Sequence, residues 1–212
     1  MTIFMRFFTK ATRNTLKREF SRETTRALIK DMWQHYNELS PGLPEGISPT
    51  GQFLMKTSGA CLALFYTLVG EGIEENKARQ IVADVNWSFI GGGSLLGQGM
   101  IRLQYKLSKL VNSDPVKRLD WCLAPLWRFI FTTPPWKKKN LPSDDGILAL
   151  DVVRCPWADY FRSVGQQELG ALAFCGADLK LAKIWGFDLK RDGLLMTGAP
   201  CCDFRFIPKT NR

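Results

Sequence analysis

The segment ILALDVVRCP, residues 147–156, decides the fold of this chain because the hydrophobic period changes there. Its first eight residues are mostly aliphatic and β-branched, which is typical of a strand. Upstream of it, apolar residues recur every three to four positions, which is typical of helices. The chain therefore predicts an α+β protein, in which a helical N-terminal part packs on a small antiparallel sheet formed mainly by the C-terminal third.

Downstream of that strand, the pattern predicts one helix and two further strands. The helix covers residues 157–178 and is interrupted at Gly165, because glycine inside a helical pattern weakens it. The strands cover residues 187–197 and 202–207, and a turn at Gly198, Ala199 and Pro200 joins them.

Upstream, the period predicts five helices and then a linker. The first is an amphipathic helix over residues 10–39, and the last begins at Asp114 and Pro115, which suit a helix start. Lysines and a run of Pro and Gly residues near 137–146 indicate a linker. We therefore expect a helical part over residues 1–140 and a cysteine-rich α+β module over 141–212, sharing one core. The five helices are expected at residues 10–39, 51–68, 74–87, 95–111 and 115–131.

Composition and charge limit the class of protein. The chain has 212 residues, a net charge of +9 and 45% hydrophobic residues, which fits a folded protein with a basic surface. Such a charge could draw nucleic acid, an acidic membrane surface or a carboxylate substrate and does not choose among them, but the basic residues are scattered, so nucleic-acid binding is not expected. With no apolar run of spanning length and no export signal, we expect a cytoplasmic protein whose six cysteines are free thiols.

Two aromatic features suggest contacts at the surface. The N-terminal residues Phe4, Phe7 and Phe8 could pack on a second copy, which leaves a homo-oligomer open. Trp136 stands beside three lysines, a combination that favours peripheral contact with a membrane.

The C-terminal third carries the residues best suited to chemistry. It holds Cys155, Cys175, Cys201 and Cys202, four of the six cysteines. On a regular helix, Glu168, Cys175 and Asp178 share one face, because offsets of seven and three residues return to the same side. A thiol would then lie beside two carboxylates.

The last strand separates its side chains between two faces. Cys202, Phe204 and Phe206 point to one side, which we interpret as the core. Asp203 and Arg205 point to the other side together with Cys201, and their simplest role is an ion pair on that face.

A metal site and two other motifs are weaker interpretations. Cys155, Cys175, Cys202 and Asp178 could hold zinc, but there is no paired Cys-x-x-Cys motif and His35 is the single histidine. We therefore expect no cofactor, with zinc as the minority alternative. His35, near Asp31, is expected to be an ordinary helical residue, and the glycine-rich residues 91–99 to serve helix packing.

The order of these residues resembles a known family. Cys155-Pro156, then Cys175 and Asp178, then Gly198 and the CDFRF run from Cys202 to Phe206 resemble the C-terminal signature of the L-2-amino-thiazoline-4-carboxylic acid hydrolases, over residues 152–207. The ending from Gly198 to Phe204 is also similar to that of small ligand-binding domains related to vinyl reductases. A non-enzymatic ligand-binding or regulatory domain is therefore the alternative.

The hydrolase resemblance implies a reaction and a set of site residues. It implies hydrolytic opening of a cyclic amidine-like ring that bears a carboxylate, by a thiol or by a carboxylate-activated water. It implies Cys175 as the first candidate nucleophile and Cys202 as the second, with Asp178 or Glu168 as proton donor and acceptor. A cation would offset the charge of the carboxylates. The implied substrate-binding residues are Arg154, Cys155, Asp203 and Arg205.

Overall fold

A computed structural model describes residues 2–44, 48–91, 95–131, 135–142 and 146–209. Within these ranges the protein has nine α-helices and one antiparallel sheet of four strands, which confirms the α+β prediction. The helices are α1 Ile3–Leu16, α2 Arg22–Leu39, α3 Pro49–Gly70, α4 Glu75–Phe89, α5 Leu95–Leu107, α6 Pro115–Pro125, α7 Pro156–Ser163, α8 Gln167–Gly170 and α9 Gly176–Trp185. The strands are β1 Lys137–Asn140, β2 Leu148–Arg154, β3 Phe187–Lys190 and β4 Cys202–Pro208.

The sheet has the strand order β1-β2-β4-β3. In its centre, Val152 of β2 lies opposite Cys202 of β4, and Leu148 lies opposite Phe206. These residues are buried against apolar side chains of α6 and α9, so the face predicted for Cys202 and Phe206 is indeed the inner face.

The first predicted helix is two helices in the structure. The single helix expected over residues 10–39 is wrong, because the chain turns after Leu16 and starts again at Arg22. Ser21 begins the second helix by accepting a hydrogen bond from the Thr24 amide at 3.1 Å. Serine at this position satisfies an amide that the first helical turn leaves unpaired, so it favours a helix start at that point.

The lysine segment is a strand. Our interpretation of Lys137, Lys138 and Lys139 as linker is wrong, because they form β1 at the edge of the sheet, paired with β2. Charged side chains are typical of edge strands, where they discourage pairing with another chain. The remainder of the expected linker, residues 143–145, lies outside the described residues.

The strand predicted over residues 187–197 is shorter than expected. β3 ends at Lys190, and Leu195–Thr197 form a 3₁₀ turn. Gly193 is required where this segment folds back, because a Cβ there would lie 2.8 Å from the Cys201 carbonyl oxygen. The turn predicted at Gly198 is confirmed by its left-handed φ of 98°.

Trp136 is buried. Its exposed fraction is 2%, and its ring lies 5.8 Å from that of Phe131 and 5.7 Å from that of Trp157. The expected contact of Trp136 with a membrane is therefore wrong, because the ring is covered by other aromatic side chains.

The helix α3 is the most apolar element. Among the described helices it alone has the length and composition to cross a membrane, yet 67% of its most apolar window is buried inside the protein. The central residues Cys61, Leu62 and Leu64 are fully buried, as expected of a core helix.

Two hydrophobic clusters meet along one line. The helical core is formed by α1–α4, α7 and α8, and the sheet core is formed by α6, α9 and the sheet. Cys155, Leu194 and Leu195 pack against both clusters. The boundary between the two cores therefore runs beside a cysteine.

Candidate active site

Three thiols approach one another at this boundary. Cys155 follows β2 and precedes the first residue of α7, Cys175 ends a helical turn before α9, and Cys202 begins β4. Each is close enough to the others, and to Asp178, for a charge on one to affect the ionisation of the next. We call Cys155, Cys175, Cys202, Asp178 and Arg191 the thiol cluster.

A wide helical turn sets the position of Cys175. Residues Ala171–Cys175 form a π-helical turn between α8 and α9, in which the Gly176 amide donates to the Ala171 carbonyl five residues earlier. The carbonyl of Ala173 accepts a hydrogen bond from the Asn86 side chain of α4 at 2.8 Å. Such turns are rare and are frequent at functional sites.

The same turn separates Glu168 from Cys175 and Asp178. The prediction of one shared face assumed a regular helix, and an extra residue in the turn rotates the residues after it by roughly 100°. Glu168 has a side chain that is 76% exposed, and its carboxylate lies 3.3 Å from Arg79 Nη1. Glu168 thus lies outside the thiol cluster.

Burial keeps the thiols neutral. Desolvation raises the pKa of Cys155 to about 12, although the amides of Ala158 and Trp157 oppose it. Desolvation followed by the charge of Asp178 raises the pKa of Cys175 well above its ordinary value. Desolvation also raises the pKa of Cys202, but its Sγ accepts a hydrogen bond from the Leu195 amide at 3.2 Å, which favours the thiolate.

Asp178 and Arg191 form the charged pair of the cluster. Arg191 Nη1 lies 3.1 Å from Asp178 Oδ2, while Nη2 donates to the Cys175 carbonyl at 3.1 Å. The Arg191 guanidinium also lies 5.2 Å from the centre of the Phe204 ring. Desolvation raises the pKa of Asp178 to about 6, while Arg191 acts in the opposite direction. The Asp178 side chain is 36% exposed, so solvent reaches the cluster there.

Arg191 was missed by the sequence analysis. It falls in the segment that we interpreted as a strand, so its side chain received no role. The signal that could have found it is the Asp192-Gly193 dipeptide, which favours a turn and would have ended the strand near Arg191.

Asp203 and Arg205 lie on the other face of the sheet, away from Cys202. The ion pair predicted between them is wrong, because Arg205 Nη1 pairs with Asp151 Oδ1 at 2.9 Å. Asp203 instead accepts hydrogen bonds from the backbone amides of Gly193 at 2.6 Å and Asp192 at 3.1 Å. These bonds outweigh desolvation and lower the pKa of Asp203. Asp203 therefore holds the turn after Arg191.

Two predicted substrate-binding residues stay near the cluster. Cys155 belongs to it, and Arg154 precedes Cys155 at the exposed end of β2. By strand alternation Arg154 lies on the same face as Val152, the partner of Cys202. Arg205, in contrast, lines a cavity of about 340 Å³ on the opposite face.

Neither the single histidine nor a metal-ligand set belongs to this site in the described residues. His35 Nδ1 lies 3.0 Å from Thr67 Oγ1, so the histidine joins α2 to α3. It is not a member of the thiol cluster. Among the described residues, no three His, Cys, Asp or Glu side chains are grouped to hold a metal ion. The thiols are neighbours without forming such a set.

Comparison with known families adds the decisive observation. Residues 95–206 match the family model described as L-2-amino-thiazoline-4-carboxylic acid hydrolase, which is just over half of the chain. The chain belongs to this family. No curated protein and no solved structure is significantly similar to it.

The family model matches a longer segment of the chain than the motifs that the sequence analysis identified. The resemblance covered residues 152–207, whereas the match begins at residue 95 and includes α5, α6 and β1. The matched segment contains every member of the thiol cluster. It excludes α1–α4, so this family member contributes Asn86 to the π turn from outside the matched segment.

Proposed function

We propose that this chain is a hydrolase that opens a small cyclic amidine-like ring bearing a carboxylate, such as 2-amino-thiazoline-4-carboxylate. The observation that carries the proposal is the meeting of Cys155, Cys175, Cys202, Asp178 and Arg191, which lie apart in the sequence. Family membership gives the reaction class, and the cluster offers a nucleophile and a proton acceptor for it.

Asp178 is our candidate for the general base. A base works best when its pKa is close to the operating pH, and burial brings the pKa of Asp178 to about 6. Arg191 lowers this pKa, so most of the Asp178 population is ionised near neutral pH, and Arg191 Nη1 fixes the carboxylate. We therefore assign Asp178 the proton transfers and Arg191 a positioning role.

Cys202 is our first candidate for the nucleophile, ahead of Cys175. The Leu195 amide and the charge of Arg191 both favour the Cys202 thiolate. Arg191 and Asp178 act in opposite directions on both thiols, but the effect of Arg191 is the larger one on Cys202, whereas that of Asp178 is the larger one on Cys175 and disfavours its thiolate. A thiol that is neutral at rest and loses its proton only during attack is consistent with the raised pKa of Cys202.

The proposed steps consume one water. Cys202 sulfur bonds to the ring carbon between nitrogen and sulfur, the π electron pair of the ring carbon–nitrogen double bond moves to the ring nitrogen, and Asp178 accepts the thiol proton. That pair re-forms the double bond as the ring carbon–sulfur bond breaks, the carbon–sulfur pair stays on the ring sulfur, and Asp178 returns the proton to that sulfur. Water then adds to the carbon of the resulting isothiourea, one of its protons goes to the nitrogen that takes up the π electron pair, and the other passes through Asp178 to the Cys202 sulfur as that carbon–sulfur bond breaks, which releases a carbamoyl-cysteine type product.

The substrate carboxylate requires a cation. Arg154 is exposed on the Cys202 side of the sheet, next to Cys155. It forms no ion pair with any described residue. We assign Arg154 to this carboxylate, because a free guanidinium can bind it through two hydrogen bonds.

The experiment follows new thiol groups and product mass when the purified protein is given 2-amino-thiazoline-4-carboxylate. We expect turnover by the wild type and its loss in Cys202→Ala. Cys201→Ala is the matched control, since Cys201 neighbours Cys202 in the chain but points to the opposite face by strand alternation, and it should retain activity. Cys175→Ala tests the second candidate in the same assay. Full activity in both Cys202→Ala and Cys175→Ala would contradict thiol catalysis and leave water activated by Asp178.

A non-enzymatic ligand-binding domain is the second candidate, favoured by one observation. All three clustered thiols have a raised pKa, which by itself lowers their reactivity. Mass spectrometry after brief alkylation separates the two proposals. One fast-reacting cysteine among Cys155, Cys175 and Cys202 supports the hydrolase, whereas uniformly slow labelling supports the binding domain.

A further inference from the structure

The cleft where α1 ends and α2 begins is unusually basic. Its volume is about 460 Å³, within the range of small-molecule sites, and it is remote in sequence from the thiol cluster. Four of its five lining residues are cations. The lining residues are Arg13, Lys17, Arg22, Thr25 and Arg26.

The four cations form no close ion pair among the described residues, although Glu23 follows Arg22 in the first turn of α2. The nearby carboxylate of Glu19 is engaged by Lys77 at 2.9 Å. All four side chains are exposed to solvent, and their grouping around one cleft raises the local concentration of anions there.

The position of Arg22 is unfavourable for the stability of its own helix. It occupies the first position of α2, directly after the cap Ser21. Cations are disfavoured there, because the helix dipole and the unpaired amides make that end positive. The same features make the end of a helix attractive to an anion.

A buried hydroxyl in the cleft is an independent observation. Other buried threonines donate to the carbonyl four residues earlier: Thr12 to Phe8 at 2.9 Å and Thr67 to Ala63 at 2.9 Å. Thr25 is 1% exposed, lines the cleft, and its hydroxyl has no hydrogen-bond partner among the described residues. An unpaired buried hydroxyl is unfavourable, and a ligand oxygen would satisfy it.

We propose that this cleft is a binding site for a phosphate-bearing ligand. Three guanidinium groups and one ammonium group match a tetrahedral group with two negative charges, since arginine binds phosphate oxygens in pairs. Thr25 donates its hydroxyl to the same group. Both a phosphorylated small molecule and an anionic lipid headgroup carry this chemistry.

Pyrophosphate is the probe, and thermal unfolding of the full chain at low ionic strength is the measurement. We expect pyrophosphate to stabilise the wild type, and Arg22→Gln with Arg26→Gln to weaken the apparent affinity by about tenfold or more. Thr25→Val should weaken it less. The control is Arg102→Gln with Lys106→Gln, which removes the same charge from the exposed surface of α5 and should respond as the wild type does.

The variants remain informative because they should fold. Without pyrophosphate, the Arg22→Gln and Arg26→Gln protein should be at least as stable as the wild type, since cations near the start of α2 are unfavourable. An equal response to pyrophosphate in wild type and this variant would overturn the proposal, as would equal losses in the α5 control.

A vesicle arm identifies the source of the phosphate. Sedimentation with phosphatidylcholine vesicles that contain phosphatidic acid, reversed by pyrophosphate and weakened in the double variant, assigns the site to a lipid headgroup. Binding of pyrophosphate without sedimentation assigns it to a soluble phosphorylated molecule.

Discussion

The two cores of this protein treat polar groups differently. In the helical core, buried threonines such as Thr12, Thr57 and Thr67 donate to carbonyls of their own helices, and most of the other buried side chains are apolar. At the boundary with the sheet core, thiols are crowded around the Asp178–Arg191 pair and are kept neutral by desolvation. The comparison indicates that one region provides stability, whereas the other accepts electrostatic cost, which is typical of functional sites.

Among variants that test this difference between the two regions, Asp178→Asn is expected to have the largest effect, which is on kcat. Loss of the base should lower kcat by roughly 10²–10⁴-fold, with the fold retained. In the wild type, activity should rise as the pH increases through about 6, because the base must lose its proton. Steady-state kinetics from pH 5 to 8 measures both. A fully active Asp178→Asn protein would break the assignment.

Leu62→Ala tests the stabilising region. Leu62 is fully buried in the helical core, so truncation should lower the free energy of unfolding by about 2–5 kcal/mol. Urea unfolding measures the loss, and activity per folded molecule should be unchanged. Leu110→Ala, at an 85% exposed position, is the matched control and should change stability by less than about 0.5 kcal/mol. A large fall in kcat for Leu62→Ala would show that the two regions are not separable.

Arg191→Gln tests the electrostatic link within the thiol cluster. Removing the cation takes away the interaction that lowers the pKa of Asp178, so that pKa should rise above about 6. The acid limb of the pH–activity profile should therefore move upward by about one unit. Arg191→Lys keeps the charge and should shift the limb less. An unmoved limb in Arg191→Gln would leave Arg191 with a structural role alone.

The smallest effect is expected on the outer face of the sheet. Asp203→Ala should cost about 1 kcal/mol of stability at neutral pH, because the Gly193 and Asp192 amides lose their acceptor. Since the native pKa of Asp203 lies below 3.8, this stabilisation is present above that value and is lost as the pH falls through the native pKa.

Unfolding of wild type and variant at neutral and acidic pH checks the expected convergence. Asp120→Ala, on an exposed position of α6, is the control. A loss for Asp120→Ala equal to that for Asp203→Ala would remove the role of the Asp203 hydrogen bonds.

Local patterns predicted much of the fold, because they depend on neighbours in the chain. The branched residues of β2, the alternation of Cys202 and Phe206, and the helix start at Asp114 were all readable; Asp114 accepts from the Val116 amide at 2.8 Å. The family resemblance also pointed to Cys155, Cys175, Asp178 and Cys202, which the structure brings together.

The errors arose where local patterns are weak guides. The π turn displaced Glu168, and its Ala173 carbonyl is paired by Asn86 from a distant helix, which periodicity does not reveal. The Asp203–Arg205 pair failed because Asp151, on a neighbouring strand, competes for Arg205. Contacts of this kind depend on tertiary structure.

The hydrogen bond from Asn86 to the Ala173 carbonyl predicts how a truncated protein would behave. A fragment that starts at residue 95 would keep the whole matched segment and lose the donor for Ala173. It would also uncover Phe161, Leu169 and Phe174, which are buried in the helical core. Such a fragment should aggregate, so expression of the matched segment requires the N-terminal helices that cover these side chains.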